Sequence, residues 1–172
     1  MKWLGIVLGV LFLFNPVVYG ETTLPTAKAT LYNAQGEKVG SANFTEVEGD
    51  VVIGIVGSNL PSGLHAFHIN SVGKCDPPDF ASAGPHFNPH GKKHGLKNPE
   101  GSHAGDLHNI LVSEYGTLKA LVTAKSVTFG EGGDSLFHDG GTSIVIHASP
   151  DADVTDPAGN AGTRIACGVV ES

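Results

Sequence analysis

The stretch Gly84–Asp106, GPHFNPHGKKHGLKNPEGSHAGD, is the part of the sequence that most constrains the fold. Its glycines and prolines interrupt both helical and strand periodicity, so it predicts a loop. The loop is about twice as long as compact domains normally tolerate without internal structure. Neutral imidazoles with a carboxylate are a typical ligand set for four-coordinate zinc, and we therefore predict a loop held by a metal. The candidate side chains are His86, His90, His94, His103 and Asp106.

The composition of the whole chain favours short strands joined by many turns. The 172 residues suggest one domain, and 24 Gly and 10 Pro accompany no long amphipathic helical pattern. The formal net charge of -7 argues against nucleic acid as a partner, because phosphate binding needs a basic surface. All nine histidines lie beyond residue 64, so they are not a compositional background. The alternative for the loop, a solvated His-rich surface segment, is disfavoured because its surroundings do not look like a low-complexity tract.

Residues 1–20 have the pattern of a secretory signal peptide, with one Lys before an apolar core and small residues near Gly20. The alternative, an uncleaved membrane anchor, is disfavoured because the apolar run is short for a span. We therefore expect a single domain over residues 21–172, a periplasmic or extracellular location, and no membrane contact beyond the leader. In an oxidising compartment the two cysteines, Cys75 and Cys167, can pair.

Alternating apolar and polar residues predict about eight short strands. Along the strand Leu64–Asn70, the period of two places His68 and Asn70 on one face. The predicted strands are Ala27–Tyr32, Val39–Val47, Val51–Gly57, Leu64–Asn70, Leu107–Val112, Thr117–Thr123, Ser143–His147 and Arg164–Val170. With the second loop Ala148–Thr163, they indicate an all-β fold, an eight-stranded Greek-key sandwich or flattened barrel with two long loops.

Several motifs in a fixed order resemble copper/zinc superoxide dismutase over nearly all of Ala27–Val170. They are GLHAFHIN (63–70), GPHFNP (84–89), KHG (93–95), HAGDL (103–107), VIH (145–147) and GNAGTRIACGVV (159–170). The segment GKCDPPDF (73–80) resembles the longer disulfide subloop of bacterial, exported members. The agreement of several spaced motifs in one order makes chance similarity negligible.

The resemblance implies a zinc site and a copper site that share one imidazole. The zinc ligands would be His86, His94, His103 and Asp106, and the copper ligands would be His68, His86 and His147. His86 would bridge the two metals as an imidazolate, which requires the loss of both ring protons between two cations.

The resemblance also assigns roles to residues around the metals. Arg164 would receive superoxide beside the copper, although it could instead bond loop carbonyls at the start of its strand. Asp151 would link one copper ligand to one zinc ligand and fix the imidazole tautomers. His65 would pack and hydrogen-bond in the framework. Cys75 and Cys167 would form the disulfide that joins the long loop to the last strand.

Asn70 departs from the family pattern, which is His-x-His at positions 68 and 70. Asparagine offers only a neutral amide oxygen or an amide nitrogen that does not deprotonate readily, whereas copper prefers imidazole. The zinc set is complete, so we expect a complete zinc site beside a weakened copper site. Whether His90 or a water supplies the fourth copper ligand stays open, although we favour a surface position for His90. His108 is expected to start the next strand and His138 carries no motif, so both are placed outside both sets.

The implied activity is the dismutation of superoxide to dioxygen and hydrogen peroxide, with superoxide as the partner molecule and a homodimer as one possible assembly. The alternative is a zinc-binding, disulfide-stapled relative without dismutase activity. A copper-delivery role is weaker, because copper donation typically uses soft sulfur ligands that this chain hardly has. The second loop carries Asp151, Asp153 and Asp156 and no Lys, so we expect weak long-range attraction of an anion there.

Overall fold

The computed structural model describes residues 24–172, and within them the chain forms nine strands and one 3-10 turn at Ala81–Ala83. The strands are β1 (Thr26–Asn33), β2 (Lys38–Val47), β3 (Asp50–Gly57), β4 (Gly63–His65), β5 (Phe67–Asn70), β6 (Ile110–Val112), β7 (Leu118–Ala124), β8 (Ser143–His147) and β9 (Arg164–Val169). Among residues 24–172, no helix has the length and hydropathy needed to cross a membrane. The predicted signal peptide, residues 1–20, lies outside the described residues.

The nine strands form one antiparallel sheet in the order β4-β6-β7-β3-β2-β1-β9-β8-β5. Because β3 pairs with β7 and β1 with β9, the chain crosses between strands rather than following a simple meander. β4 and β5 lie at the two ends of this order, yet only Ala66 separates them in the chain. That short segment therefore joins both ends of the sheet, and the sheet forms a nearly closed, flattened barrel. The all-β prediction is confirmed.

The structure has nine strands rather than eight because the predicted strand Leu64–Asn70 is divided at Ala66. The N–H of Ala66 donates to the carbonyl of Ser149, and its own carbonyl accepts from the N–H of His147. Before this residue the chain pairs with β6, and after it the chain pairs with β8. An alternating sequence cannot show where one strand changes its partner.

The other predicted strand bounds agree with the structure within one residue, except for Leu107–Val112. There β6 begins only at Ile110. Asn109 instead hydrogen-bonds the backbone of Asp151 with both ends of its side chain. The prediction that His108 starts the strand is therefore wrong, because this segment is bound to a loop before the sheet ladder begins.

The barrel interior is filled by apolar side chains at alternate strand positions, and the two long loops cover its outside. The largest fully buried side chains include Phe44, Ile53, Ile55, Phe67, Ile69, Ile144 and Ile146. Since Phe67 and Ile69 point inward, alternation turns His68 and Asn70 to the outer face of β5. Both are nevertheless completely buried, because the loops 71–109 and 148–163 lie over them. The candidate site therefore lies between the barrel wall and its loops.

Candidate metal centre

Two clusters of metal-ligating side chains lie on the outer face of β5 and β8, and they share one imidazole. The first cluster contains His86, His94, His103 and Asp106, and the second cluster contains His68, His86 and His147. Within each cluster the ligand atoms lie within 4.8 Å of one another. The ring centroids of His68 and His86 are 3.8 Å apart, and those of His86 and His94 are 5.1 Å apart. The fold thus brings together all the side chains of the two predicted ligand sets.

Asp106 lies at the centre of the first cluster. Its Oδ1 is 3.0 Å from Nδ1 of His86, 3.0 Å from Nδ1 of His94 and 3.3 Å from Nδ1 of His103. Its Oδ2 accepts hydrogen bonds from the backbone N–H groups of Gly95 and His103, at 2.8 and 3.0 Å. Burial alone would raise the pKa of Asp106, but the imidazoles and the Gly95 N–H hold it well below its usual range. The carboxylate is therefore anionic, which is the form in which a carboxylate binds a metal.

The second cluster presents two ring nitrogens that have no hydrogen-bond partner among the described residues, Nδ1 of His68 and Nε2 of His147. Both nitrogens are buried, while the opposite nitrogens are occupied. His68 Nε2 lies 2.6 Å from Asp151, and His147 Nδ1 lies 3.2 Å from the Gly162 carbonyl. Burial lowers the pKa of both imidazoles to about 4. Near neutral pH both rings are therefore uncharged, which is the state that binds metals.

Asp151 joins the two clusters through its carboxylate. Its Oδ2 lies 2.6 Å from His68 Nε2 and 2.9 Å from His94 Nε2. Burial alone would raise the pKa of Asp151, but the hydrogen bonds with His68 and His94 hold it well below its usual range. Asn109 fixes the Asp151 backbone, since its Nδ2 donates to the carbonyl at 3.1 Å and its Oδ1 accepts from the N–H at 2.8 Å. Sequence analysis missed Asn109, because it lies 42 residues from Asp151 and carries no local signal.

Arg164 and Asn70 meet at one backbone carbonyl, that of Gly84. Nη2 of Arg164 donates to it at 2.6 Å and Nδ2 of Asn70 donates to it at 2.8 Å, while Nη1 of Arg164 donates to the Phe80 carbonyl. Arg164 also lines an open cavity of about 690 Å³, together with Asp79 and other residues. The side chain thus bonds loop carbonyls, as one of its two predicted roles requires, and also faces a cavity that a small anion could enter.

Cys75 and Cys167 form a disulfide, which links the long loop to β9. Their Cα atoms are 5.6 Å apart, and the two residues are separated by 92 positions in the sequence. In a chain-entropy model, closing a loop of this length stabilises a protein by up to about 4 kcal/mol. No cysteine is free in the part of the chain that the structure describes.

Four histidines lie outside both clusters. The two ring nitrogens of His65 each lie 2.8 Å from a backbone carbonyl, one of them that of His147. His90 and His108 are exposed, and His138 is partly exposed. Nε2 of His90 lies 2.7 Å from a carboxylate oxygen of Asp134, at the surface. His65 therefore contacts the backbone of His147, a residue of the second cluster, whereas His90 pairs with Asp134 outside both clusters.

Comparison with known proteins decides the family. The family model for copper/zinc superoxide dismutase (SODC) matches residues 38–170. The chain belongs to the copper/zinc superoxide dismutase family. "Superoxide dismutase [Cu-Zn] 1" of Aquifex aeolicus (strain VF5) is 52% identical over 145 residues, which cover 83% of this chain and 86% of that protein.

The chain is also similar to solved structures of a copper/zinc superoxide dismutase and a related protein. A SOD-like protein from Bacillus subtilis has a TM-score of 0.80 and 35% identity, covering 83% of this chain and 96% of that one. The Cu/Zn superoxide dismutase from Brucella abortus has a TM-score of 0.69 and 26% identity, and the match covers 86% of this chain and 100% of that one.

The residues present fit the two metals of the copper/zinc superoxide dismutase family. Three imidazoles and one carboxylate form the donor set of a closed, four-coordinate zinc site. The unpartnered nitrogens of His68 and His147, with His86 beside them, form an imidazole set suited to copper.

Proposed function

We propose that the protein dismutates superoxide at a copper site formed by His68, His86 and His147, next to a zinc site. The observation that carries this proposal is that His86 belongs to both clusters. Its Nδ1 lies 3.0 Å from Asp106, which leaves Nε2 for the second cluster. Family membership supports the same conclusion, since relatives at 52% and 50% identity bear the name superoxide dismutase.

Bound copper would supply one-electron chemistry, by which one superoxide is oxidised to dioxygen and a second, with two protons, is reduced to hydrogen peroxide. The protein positions the substrate through Arg164, whose guanidinium faces the cavity and binds anions well. Because two loop carbonyls hold this guanidinium, its position is fixed before substrate arrives. Zinc is redox-inert, and its ligands His94, His103 and Asp106 order the loop that carries His86.

Asn70 makes the proposed copper site weaker than one with four imidazoles. It lies on the same strand face as His68, two residues along β5, where a second imidazole would complete the set. An amide is a poorer copper ligand than imidazole. We therefore infer a lower copper affinity than a fourth imidazole would give.

We also propose that the protein works outside the cytoplasm, in a periplasmic or extracellular space. The disulfide between Cys75 and Cys167 supports this location, because such bonds persist in oxidising compartments. The predicted leader would supply the route of export.

The proposed activity is tested by following superoxide consumption in protein loaded with zinc alone and with zinc plus copper. We expect activity only when copper is added. His147→Ala should abolish most of it, because His147 belongs to the second cluster and not to the first. The matched control is His108→Ala, an exposed histidine outside both clusters, which should keep the parent activity.

The contrary result is copper-loaded protein that consumes superoxide no faster than zinc-loaded protein. It would favour the alternative function, a zinc-binding and disulfide-stapled relative without dismutase activity.

A further inference from the structure

The side chain of Asn70 is completely buried, and only one of its two polar atoms is hydrogen-bonded among the described residues. Its Nδ2 donates a hydrogen bond of 2.8 Å to the Gly84 carbonyl. Its Oδ1 is buried and has no hydrogen-bond partner among the described residues. A buried amide oxygen that has lost its hydration without gaining a donor is rare in folded proteins, so a missing partner is the natural explanation.

The immediate neighbours of Asn70 belong to the second cluster. His68 lies two residues away on the same face of β5, and a backbone bridge pairs Asn70 with His86. Ser143 stands directly opposite Asn70 on β8, but its hydroxyl also has no partner, so the two side chains are not bonded to each other. The residue that carries the unsatisfied oxygen therefore neighbours two of the three histidines that would hold copper, His68 along β5 and His86 across the bridge.

The orientation of the Asn70 amide is fixed by its neighbours. The planar amide carries its oxygen and nitrogen on one carbon, so binding Nδ2 to Gly84 directs Oδ1 away from that carbonyl. A flipped amide would place two acceptor oxygens against each other. The Gly84 carbonyl is itself held by Arg164, at 2.6 Å. The amide therefore has one favourable orientation, with its oxygen free to bind a cation.

We propose that Asn70 supplies its amide oxygen as the fourth donor of the copper site, an inference that rests on the proposed function. The site would then have three imidazole nitrogens and one carbonyl oxygen. Because oxygen is a weaker partner for copper than imidazole nitrogen, binding is retained at reduced affinity. The same side chain tethers the loop through Gly84, so one residue serves both purposes.

The test compares copper binding and electron paramagnetic resonance of Cu²⁺ in zinc-loaded parent protein and its variants. Asn70→Leu has a similar volume and no donor atom, and it should lower copper affinity at least about 10-fold and change the copper hyperfine splitting. Asn70→Asp keeps an oxygen but cannot donate to Gly84, and it should retain most of the affinity. The control Ser143→Ala alters the directly opposed buried residue and should leave affinity and spectrum unchanged.

A measurement on the unsubstituted protein does not depend on how the variants fold. With ¹³C in the side-chain carbonyl of asparagine, double-resonance spectra should show a coupling between Cu²⁺ and one such carbon, absent in Asn70→Leu. The absence of that coupling in the parent would overturn the inference. So would equal losses of affinity in Asn70→Leu and Asn70→Asp, which would leave only the tether to Gly84.

Failure of the proposed function is recognised separately. If copper added to the parent shows no nitrogen couplings from imidazoles, then no copper site exists and both proposals fall. If those couplings are present and Asn70→Leu matches the parent in affinity and spectrum, only the role of Asn70 is rejected.

Discussion

Asp106 is the single residue on which zinc binding should depend most, because one of its oxygens faces three imidazole nitrogens. We predict that Asp106→Ala lowers zinc affinity by at least about 100-fold, since even residues that only orient ligands contribute on the order of 10- to 100-fold. A chelator competition titration measures this. The control is Asp156→Asn, because Asp156 lies outside the first cluster, where it accepts the backbone N–H of His94 and pairs with Lys93. A variant with parental zinc affinity would remove Asp106 from the site.

The imidazoles of the two clusters should titrate in different pH ranges. Burial would lower the pKa of His94, but hydrogen bonds with Asp106 and Asp151 raise it to about 9. Below that pH zinc must displace a proton from His94, so zinc affinity should fall roughly tenfold for each unit of decreasing pH. His68 and His147, with pKa values of about 4, hold no proton near neutrality.

Between about pH 8 and about pH 6, His68 and His147 should therefore add no pH dependence to copper binding, and the proton that copper displaces is that of the bridging His86. Competition titrations of each metal across that interval measure both slopes. A zinc affinity that does not fall between those two pH values would contradict the protonation state inferred for His94.

At the residue scale, the resemblance of several motifs to a known family predicts the ligand sets, but no sequence signal predicts the contacts that hold them. From the residues alone, the His-rich loop predicts a metal and the period of two places His68 and Asn70 on one face, because both are local features. The bond from Asn70 to Gly84 and the bonds from Asn109 to Asp151 join residues 14 and 42 positions apart. Such pairs are brought together by loop geometry, which no local pattern records.

At the scale of elements, the disulfide holds the long loop, residues 71–109, against strand β9. Cys167 is completely buried in β9, and Cys75 lies at the start of the long loop. We predict that reduction lowers the melting temperature and increases protease cleavage within Lys74–His103. The central strand β3 should stay protected and serves as the internal control. Two titratable thiols in the native protein would contradict this prediction.

The strands themselves were largely predictable, because alternation reports which face of a strand is buried. The exception is the division at Ala66, where the chain leaves one end of the sheet and enters the other. The hydrogen bonds of Ala66 join it to Ser149 and His147, which lie about eighty residues further along the chain. The near-closure of the barrel is therefore a property of tertiary pairing rather than of the local sequence.

For the whole molecule, the expected weak attraction of anions at the second loop needs revision. Asp151 is buried between two imidazoles rather than exposed. Lys93 lies 3.3 Å from Asp156, and Lys97 lies 2.8 Å from Asp153. These two lysines of the long loop offset the negative charges of Asp153 and Asp156. The sequence showed the second loop as acidic only because its partners lie in another loop.

The central claim is that the copper site lacks one imidazole and is otherwise complete, and Asn70→His tests it most directly. A copper titration against a competing chelator, run on parent and variant, is the measurement. We predict a copper affinity at least about 10-fold higher in the variant, because ligand loss costs more than loss of a residue that only orients ligands. Zinc affinity should be unchanged, since Asn70 is not in the first cluster. A variant that binds copper no better than the parent would contradict the claim.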